Sequence, residues 1–407
     1  MLIEYMLIES TAEGAGMDDE TSRWITTSEA AQRLGVKRAT LYAYVSRGLL
    51  HSERRPGQQE SLFDRTEIDG LASTTRASGA AQPLLRFRSV ATSVSSQLDG
   101  DLLYRGVPLA DVVDGLSFDD AAALVLGSTS IPIGSRRDPG TQLSGILPSL
   151  PLERRLPVAL QLLAAADPLA VDTDPDRTRQ AVVATIRQTL AAFDPAAAGV
   201  GRPADVPSLL VAALRRAPAT RTDGELMRVL LTTLLDHGLT ASTIGARVAA
   251  STRAGIHDCL CAGFAVMSGP LHGAAPIAAR ALLDDPRRAP EAAAAALRAH
   301  SGVPGFGHFL YPEGDPRAEL VLTALWRRRG TARLRRRVEE LSEAVAAHSG
   351  LRPNIDLASA AVMRALNLPA TAGEVVFQVA RSYGITAHVL EEYTETPLRW
   401  RGREATG

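Results

Sequence analysis

Two histidines draw attention because each sits in glycine-rich backbone between helical runs. His272 lies in Ser268-Gly269-Pro270-Leu271-His272-Gly273 and His308 in Gly305-Phe306-Gly307-His308. A carboxylate follows in Pro353-Asn354-Ile355-Asp356. Two imidazoles and one carboxylate on loops or helix edges can remove a proton beside a carbonyl and stabilise the enol that forms. A carboxylate is far weaker than the carbanion it must generate, so Asp356 acts as a base only if the enolate is stabilised as it appears. That task falls to His272. It precedes the helical run Ala274 to Leu283, and a helix N-terminus disfavours the imidazolium form. A neutral ring there can donate a hydrogen bond to an enolate oxygen. Arg317, after Asp315-Pro316, offers a fork that matches a carboxylate, which points to an anionic substrate. Taken singly, each has a plainer reading. His272 fills a loop, Asp-Pro-Arg is a turn with a surface arginine, and Asp356 caps the helix Ala358 to Leu366.

These residues need a scaffold, and the composition describes one. The chain has 407 residues, 45% hydrophobic and 22% charged, which suits a folded globular protein of two or three domains. Aromatics make up only 4% while Ala and Leu abound, so helix is favoured over sheet. The net charge of −1 gives no whole-chain pull on nucleic acid or membrane. Cys259 and Cys261 have neither metal-knuckle nor redox spacing, and a reduced cytoplasmic protein is the reading. No apolar stretch is long enough to span a membrane, and residues 1–22 read as a disordered leader without signal-peptide character. Helical periodicity with Pro, Gly or Asp boundaries predicts helices over Phe118–Leu126, Leu156–Ala166, Arg177–Phe193, Val206–Arg216, Asp223–Leu235, Ser242–Thr252 and Gly255–Met267. Strand pieces are expected at Val90–Leu98, with a turn at Asp99-Gly100-Asp101. Gly134 to Leu150 reads as an irregular connection.

Near the N-terminus, Thr26-x-x-Glu29 is a capping box that opens a helix closed by Gly35. Lys37 to Arg47 follows as a second helix, and His51 to Phe63 as a hairpin or wing. The run Ser28-Glu-Ala-Ala-Gln-Arg-Leu-Gly-Val…Leu41-Tyr-Ala-Tyr-Val-Ser-Arg-Gly-Leu resembles the DNA-binding domain of the MerR and excisionase families. That resemblance implies that Lys37, Arg38, Thr40 and Tyr44 face the major groove and that Arg54 and Arg55 meet phosphates. The alternative is a small helical module that only packs or dimerises.

Further along, Asp236-His237-Gly-Leu-Thr-Ala-Ser-Thr-Ile-Gly-Ala-Arg247 and Ser268-Gly-Pro-Leu-His272-Gly resemble citrate synthases. So do Gly305-Phe-Gly-His308-Phe-Leu-Tyr-Pro-Glu-Gly-Asp315-Pro-Arg317, Arg352-Pro-Asn-Ile-Asp356, Tyr104-Arg-Gly106 and Ala380-Arg381-Ser-Tyr-Gly-Ile-Thr-Ala-His388, from about Leu98 to Leu390 and in the family's order. The resemblance implies that Asp356 takes the methyl proton of an acyl-CoA, His272 bonds the thioester oxygen and His308 polarises and protonates the ketone of oxaloacetate. His237, Arg317 and Arg381 would hold that substrate's carboxylates, and hydrolysis of a citryl-type thioester would release CoA. It further implies a mostly helical homodimer with a large and a small domain that close over the substrates, with no bound cofactor and no metal. Three departures stand out. Phe309 to Glu313 lack the basic residues that usually meet CoA phosphates, Pro276 replaces an asparagine, and Arg399 or Arg401 stands in for an arginine that reaches the partner subunit's substrate.

The fold expected is therefore mainly α: a winged helix-turn-helix over 23–76, a linker over 77–83, a large domain over 84–267 and 363–407, and a small domain over 268–362. The activity expected is condensation of acetyl-CoA with oxaloacetate. A 2-methylcitrate synthase using propionyl-CoA is the near alternative, since one methylene shifts preference only modestly. A DNA-binding regulator whose body only senses a metabolite is the other.

Overall fold

The structure, a computed structural model, describes residues 24–36, 41, 50, 52–53, 61–65, 67–68, 90–98, 100–131, 140–193, 205–299 and 302–401. The chain forms two compact units, Met1–Val90 and Ala91–Gly407.

In the first unit, β1 (Trp24–Thr26), β2 (Ser52–Glu53) and β3 (Leu62–Asp64) make an antiparallel sheet in the order β1-β3-β2. The pairing of β2 with β3 is the expected wing, and β1 adds a strand that the sequence reading did not foresee. Helix α1 (Thr27–Leu34) starts at the capping box: Glu29 N donates to Thr26 Oγ1 and Thr26 N to the Glu29 carboxylate. Gly35 ends it in the left-handed conformation. Ala30, Ala31 and Leu34 pack with Ile25, Leu41, Leu50, Phe63 and Ile68 into a small core. Lys37, Arg38, Thr40, Tyr44, Arg54 and Arg55 lie outside the described residues.

The second unit opens with a three-stranded antiparallel sheet of β4 (Ser95–Leu98), β5 (Asp101–Tyr104) and β6 (Val107–Pro108). Helices follow: α2 (Leu109–Gly115), α3 (Phe118–Leu126), α4 (Gly140–Ile146), α5 (Arg155–Ala166), α6 (Pro175–Phe193) and α7 (Val206–Arg215). Then come α8 (Arg221–Leu234), α9 (Ala241–Ser251), α10 (Ile256–Met267), α11 (Ala275–Asp284) and α12 (Ala289–Ala299). The last are α13 (Pro316–Trp326), α14 (Ala332–Ser349), α15 (Ile355–Ala365) and α16 (Ala372–Tyr393). Ser117 caps α3 and Gly127 stops it, as the sequence indicates. Helix α4 corrects the expectation of an irregular connection; Leu143 and Leu147 bury against the core and stabilise a glycine-bearing turn of helix.

Nearly every side chain of α16 is buried, so this helix is the axis of the unit rather than an amphipathic surface element. It packs against α9, α10, α8, α3 and α6. Small residues let its neighbours come close. A Cβ on Gly384 would lie 2.2 Å from the Leu235 carbonyl oxygen and 2.6 Å from Asp236 Oδ1. The end of α8 therefore rests directly on the α16 backbone.

Candidate functional site

Helix α8 ends at Leu234, and Asp236-His237-Gly238 turns away from it with Gly238 at φ +67°. The buried Asp236 carboxylate holds this turn. It accepts from Gly238 N at 2.8 Å and Ser95 Oγ at 2.5 Å, and lies 3.2 Å from His388 Nε2 on α16. Burial works against both charges of the Asp236–His388 pair, yet their mutual attraction outweighs it: the Asp236 pKa is lowered and that of His388 raised. His237 is presented next to this anchor, 9 % exposed. Its Nε2 is 3.0 Å from the Tyr311 hydroxyl, and its ring meets that of His308 edge-on, centroids 5.2 Å apart. Burial first, then the charges of Arg317 and Arg381, push the His237 pKa far down, so the ring is neutral.

His308 comes from a loop that needs its glycines. Gly305 and Gly307 adopt φ of +84° and +79°, and a Cβ at Gly305 would strike Leu357 of α15 at 2.9 Å. The loop is zipped to the segment leading into α15: Gly307 N donates to Arg352 O, Asn354 N to Gly305 O, and Asn354 Nδ2 to Gly307 O. His308 stacks on Tyr311, and its Nδ1 accepts from Leu310 N at 3.2 Å. A neutral ring accepting at Nδ1 carries its proton on Nε2. Burial and Arg317 lower its pKa to about 4.

Asp356 is the second residue of α15, and the cap is Asn354, whose side-chain oxygen accepts from Asp356 N and Leu357 N. The capping role considered for Asp356 is thus taken by its neighbour, and the aspartate side chain is left for other work. Burial pushes its pKa up to about 7, against the opposing pull of Arg317. The preceding Ile355 N donates to Asp315 Oδ2, which ties α15 to the start of α13.

Arg317 is 2 % exposed, so the surface-turn reading fails. Asp315 caps α13 and takes Arg317 Nε and Nη2 at 2.9 and 2.8 Å. Arg381, on α16 and 1 % exposed, donates Nε to Leu234 O and Nη1 to Thr240 Oγ1, without a directly paired carboxylate among the described residues. His272 lies in the turn between α10 and α11, its Nε2 2.7 Å from Ser242 Oγ. Its pKa falls to about 4, through burial and then Arg381. Ala274, two residues on, is the cap of α11, so His272 stands just ahead of that helix's N-terminus.

His237, His308 and Tyr311 are in direct contact, Arg317 lies over the Tyr311 ring, and Arg381 and His272 act on the His237 charge. Asp356 shares the field of Arg317 and Asp315. Arg399 stands elsewhere. It pairs with Glu392 and Glu395 of its own chain and lies against Trp400, while Glu392 also holds the buried Arg247. Arg401 is exposed. Tyr311, Asp236, Ser242 and Asp315 were not singled out from the sequence, although each lies within or beside a motif that was. Among the described residues no group of three or more His, Cys, Asp or Glu side chains is placed to hold a metal ion.

This geometry can be set beside known proteins. The family model for the citrate synthase C-terminal domain matches residues 85–402, and a helix-turn-helix domain model matches residues 24–74. A Mycobacterium tuberculosis protein provisionally named citrate synthase 2 is 30% identical over 315 residues, covering 72% of this chain and 83% of that protein. A 2-methylcitrate synthase 1 of Corynebacterium glutamicum is 31% identical over 169 residues, 40% of this chain and 44% of its own. Among solved structures, the Thermoplasma acidophilum citrate synthase in ternary complex with carboxymethyl coenzyme A and oxaloacetate superposes with a TM-score of 0.64. It is 21% identical and covers 79% of this chain and 94% of that one. With the family model spanning most of its length, this chain, which carries a helix-turn-helix domain at its N-terminus, belongs to the citrate synthase family.

Proposed function

We propose that the chain condenses a short acyl-CoA with oxaloacetate, with acetyl-CoA as the donor and citrate and CoA as products. Asp356 removes a proton from the carbon beside the thioester carbonyl. His272 donates to the thioester oxygen as the enol forms, with Ser242 donating to Nε2 so that the His272 proton sits on Nδ1. His308 donates from Nε2 to the ketone oxygen of oxaloacetate, which gains the proton as the new carbon–carbon bond forms. His237, Arg317 and Arg381 hold the carboxylates, and water then cleaves the thioester. The observation that carries this reading is the contact of His237 with His308 and Tyr311 under the buried Arg317, whose charge also acts on Asp356, with a second buried guanidinium, Arg381, acting on His237. A guanidinium as deeply buried as Arg381 without a paired carboxylate is costly unless an anion joins it.

The active form in this reading is a cytoplasmic homodimer, with residues 268–362 as a small domain that closes on the large one formed by 84–267 and 363–407. Arg399 is engaged within its own chain, which leaves Arg401 as the residue to reach the partner subunit's substrate. The departures near His308 bear on CoA affinity and on the acyl group, and relatives named for both citrate and 2-methylcitrate synthesis lie at similar identity. Free-thiol release with acetyl-CoA and propionyl-CoA, compared as kcat/KM, tests the assignment; a clear preference for propionyl-CoA would make 2-methylcitrate the product. The helix-turn-helix match favours a second capacity, DNA binding by the N-terminal module. Turnover with neither thioester, beside tight operator binding, would turn the reading into that of a metabolite-sensing regulator.

A further inference from the structure

A groove of about 1010 Å³, lined by none of the histidine cluster's residues, lies between α2, the first half of α8 and the last half of α13. Leu226 and Leu320 contribute to an apolar floor, and five arginines stand around it. Two of the five are committed. Arg228 binds Glu225 and the Leu116 carbonyl, and Arg328 binds Asp223 and the Thr222 hydroxyl. The other three, Arg221, Arg327 and Arg329, are exposed and have neither a hydrogen bond from the side chain nor an ion pair among the described residues. With Glu225 spent on Arg228, Asp114 is the one remaining carboxylate in the lining. A chain whose net charge is −1 thus concentrates an unmatched positive potential in one concave place. Guanidinium forks match phosphate oxygens bidentately, and three unmatched cations around one groove call for several negative charges on a short backbone.

We propose that this groove binds a small polyphosphate-bearing molecule. Its phosphates lie on Arg221, Arg327 and Arg329 and its organic part covers Leu226 and Leu320. The site is separate from the histidine cluster but built on the same two helices. The far end of α8 leads to His237, and α13 begins beside Arg317, roughly 15 Å of helix from Arg327. Binding in this groove does not depend on the condensation reaction.

Calorimetric titration of the full chain with inorganic tripolyphosphate, and separately with uridine triphosphate, tests it. Saturable binding at one site per chain is expected, weakened roughly tenfold or more in the combined variant Arg221→Gln, Arg327→Gln, Arg329→Gln and weakened also by added salt. These exposed side chains leave the core untouched, and an unchanged melting curve shows the variant folded. Tighter binding of the nucleotide supports an organic part on the apolar floor, and equal affinity for the two overturns that placement. Absence of saturation at millimolar ligand, or wild-type affinity in the folded triple variant, overturns the site.

Discussion

Asp356 carries the largest demand placed on any one side chain. Its carboxyl sits near neutrality because burial outweighs the attraction of Arg317. A base must be ionised to act, so kcat/KM for the thioester is expected to rise with pH through about 7. His272 and His308, with pKa values of about 4, are neutral throughout that range and add no second limb. A profile flat from pH 6 to 8 would remove Asp356 from the role. The same shift has a consequence for stability. The folded-state pKa lies above the unfolded one, so ionised Asp356 destabilises the fold, fully above pH 7 and not at all below the ordinary carboxylate range. Asp356→Asn is therefore expected to stabilise the protein at pH 8 by about 2 kcal/mol, less than complete burial would give because Asp356 keeps some exposed surface, and the gain should fade towards pH 4. Denaturant unfolding at the two pH values measures it; equal or lower stability of the variant at pH 8 would contradict the burial argument. The types and order of these residues were legible in the sequence, but their partners were not. Tyr311 and Ser242 matter through contacts with rings far away in the chain, and no local pattern marks such a pair.

Elements set where those side chains stand. Boundaries written in local chemistry were readable: Ser117 and Gly127 around α3, and Thr26 with Glu29 at α1. Boundaries decided by tertiary packing were not. Helix α4 forms where glycine and proline argue against it, and α15 begins early enough to place Asp356 inside its first turn. The close approach of α8 to α16 is likewise invisible in sequence, since a glycine within a helical run reads as a weak spot. In the structure Gly384 admits the Leu235 carbonyl and the Asp236 carboxylate. Gly384→Ala must push α8 and its Asp236-His237 turn outward, at a cost of about 1–3 kcal/mol by overpacking. Turnover should fall with it, through a raised KM for oxaloacetate as His237 is displaced. Urea unfolding and steady-state kinetics check both; a variant with wild-type stability would mean that the two helices are not held in contact.

At the scale of the molecule, two units with separate cores share one chain, and each matches its own family model. Independent cores predict independent functions. Arg54→Ala with Arg55→Ala is expected to weaken DNA binding, read by gel shift, while thiol release stays at the wild-type rate. Collapse of turnover in that variant would make the N-terminal unit a structural part of the enzyme. For the larger unit, several motifs in one order made the family legible, whereas the groove of arginines at α8 and α13 left no motif, because its members gather only on folding. The most direct measurement is thiol release from acetyl-CoA with oxaloacetate, on the wild type and on Asp356→Ala. Oxaloacetate-dependent release by the wild type, reduced at least 100-fold in a folded Asp356→Ala (roughly the scale of losing one general base), is the predicted result. Release that persists in Asp356→Ala, or its absence from the wild type with both acyl donors, would contradict the account.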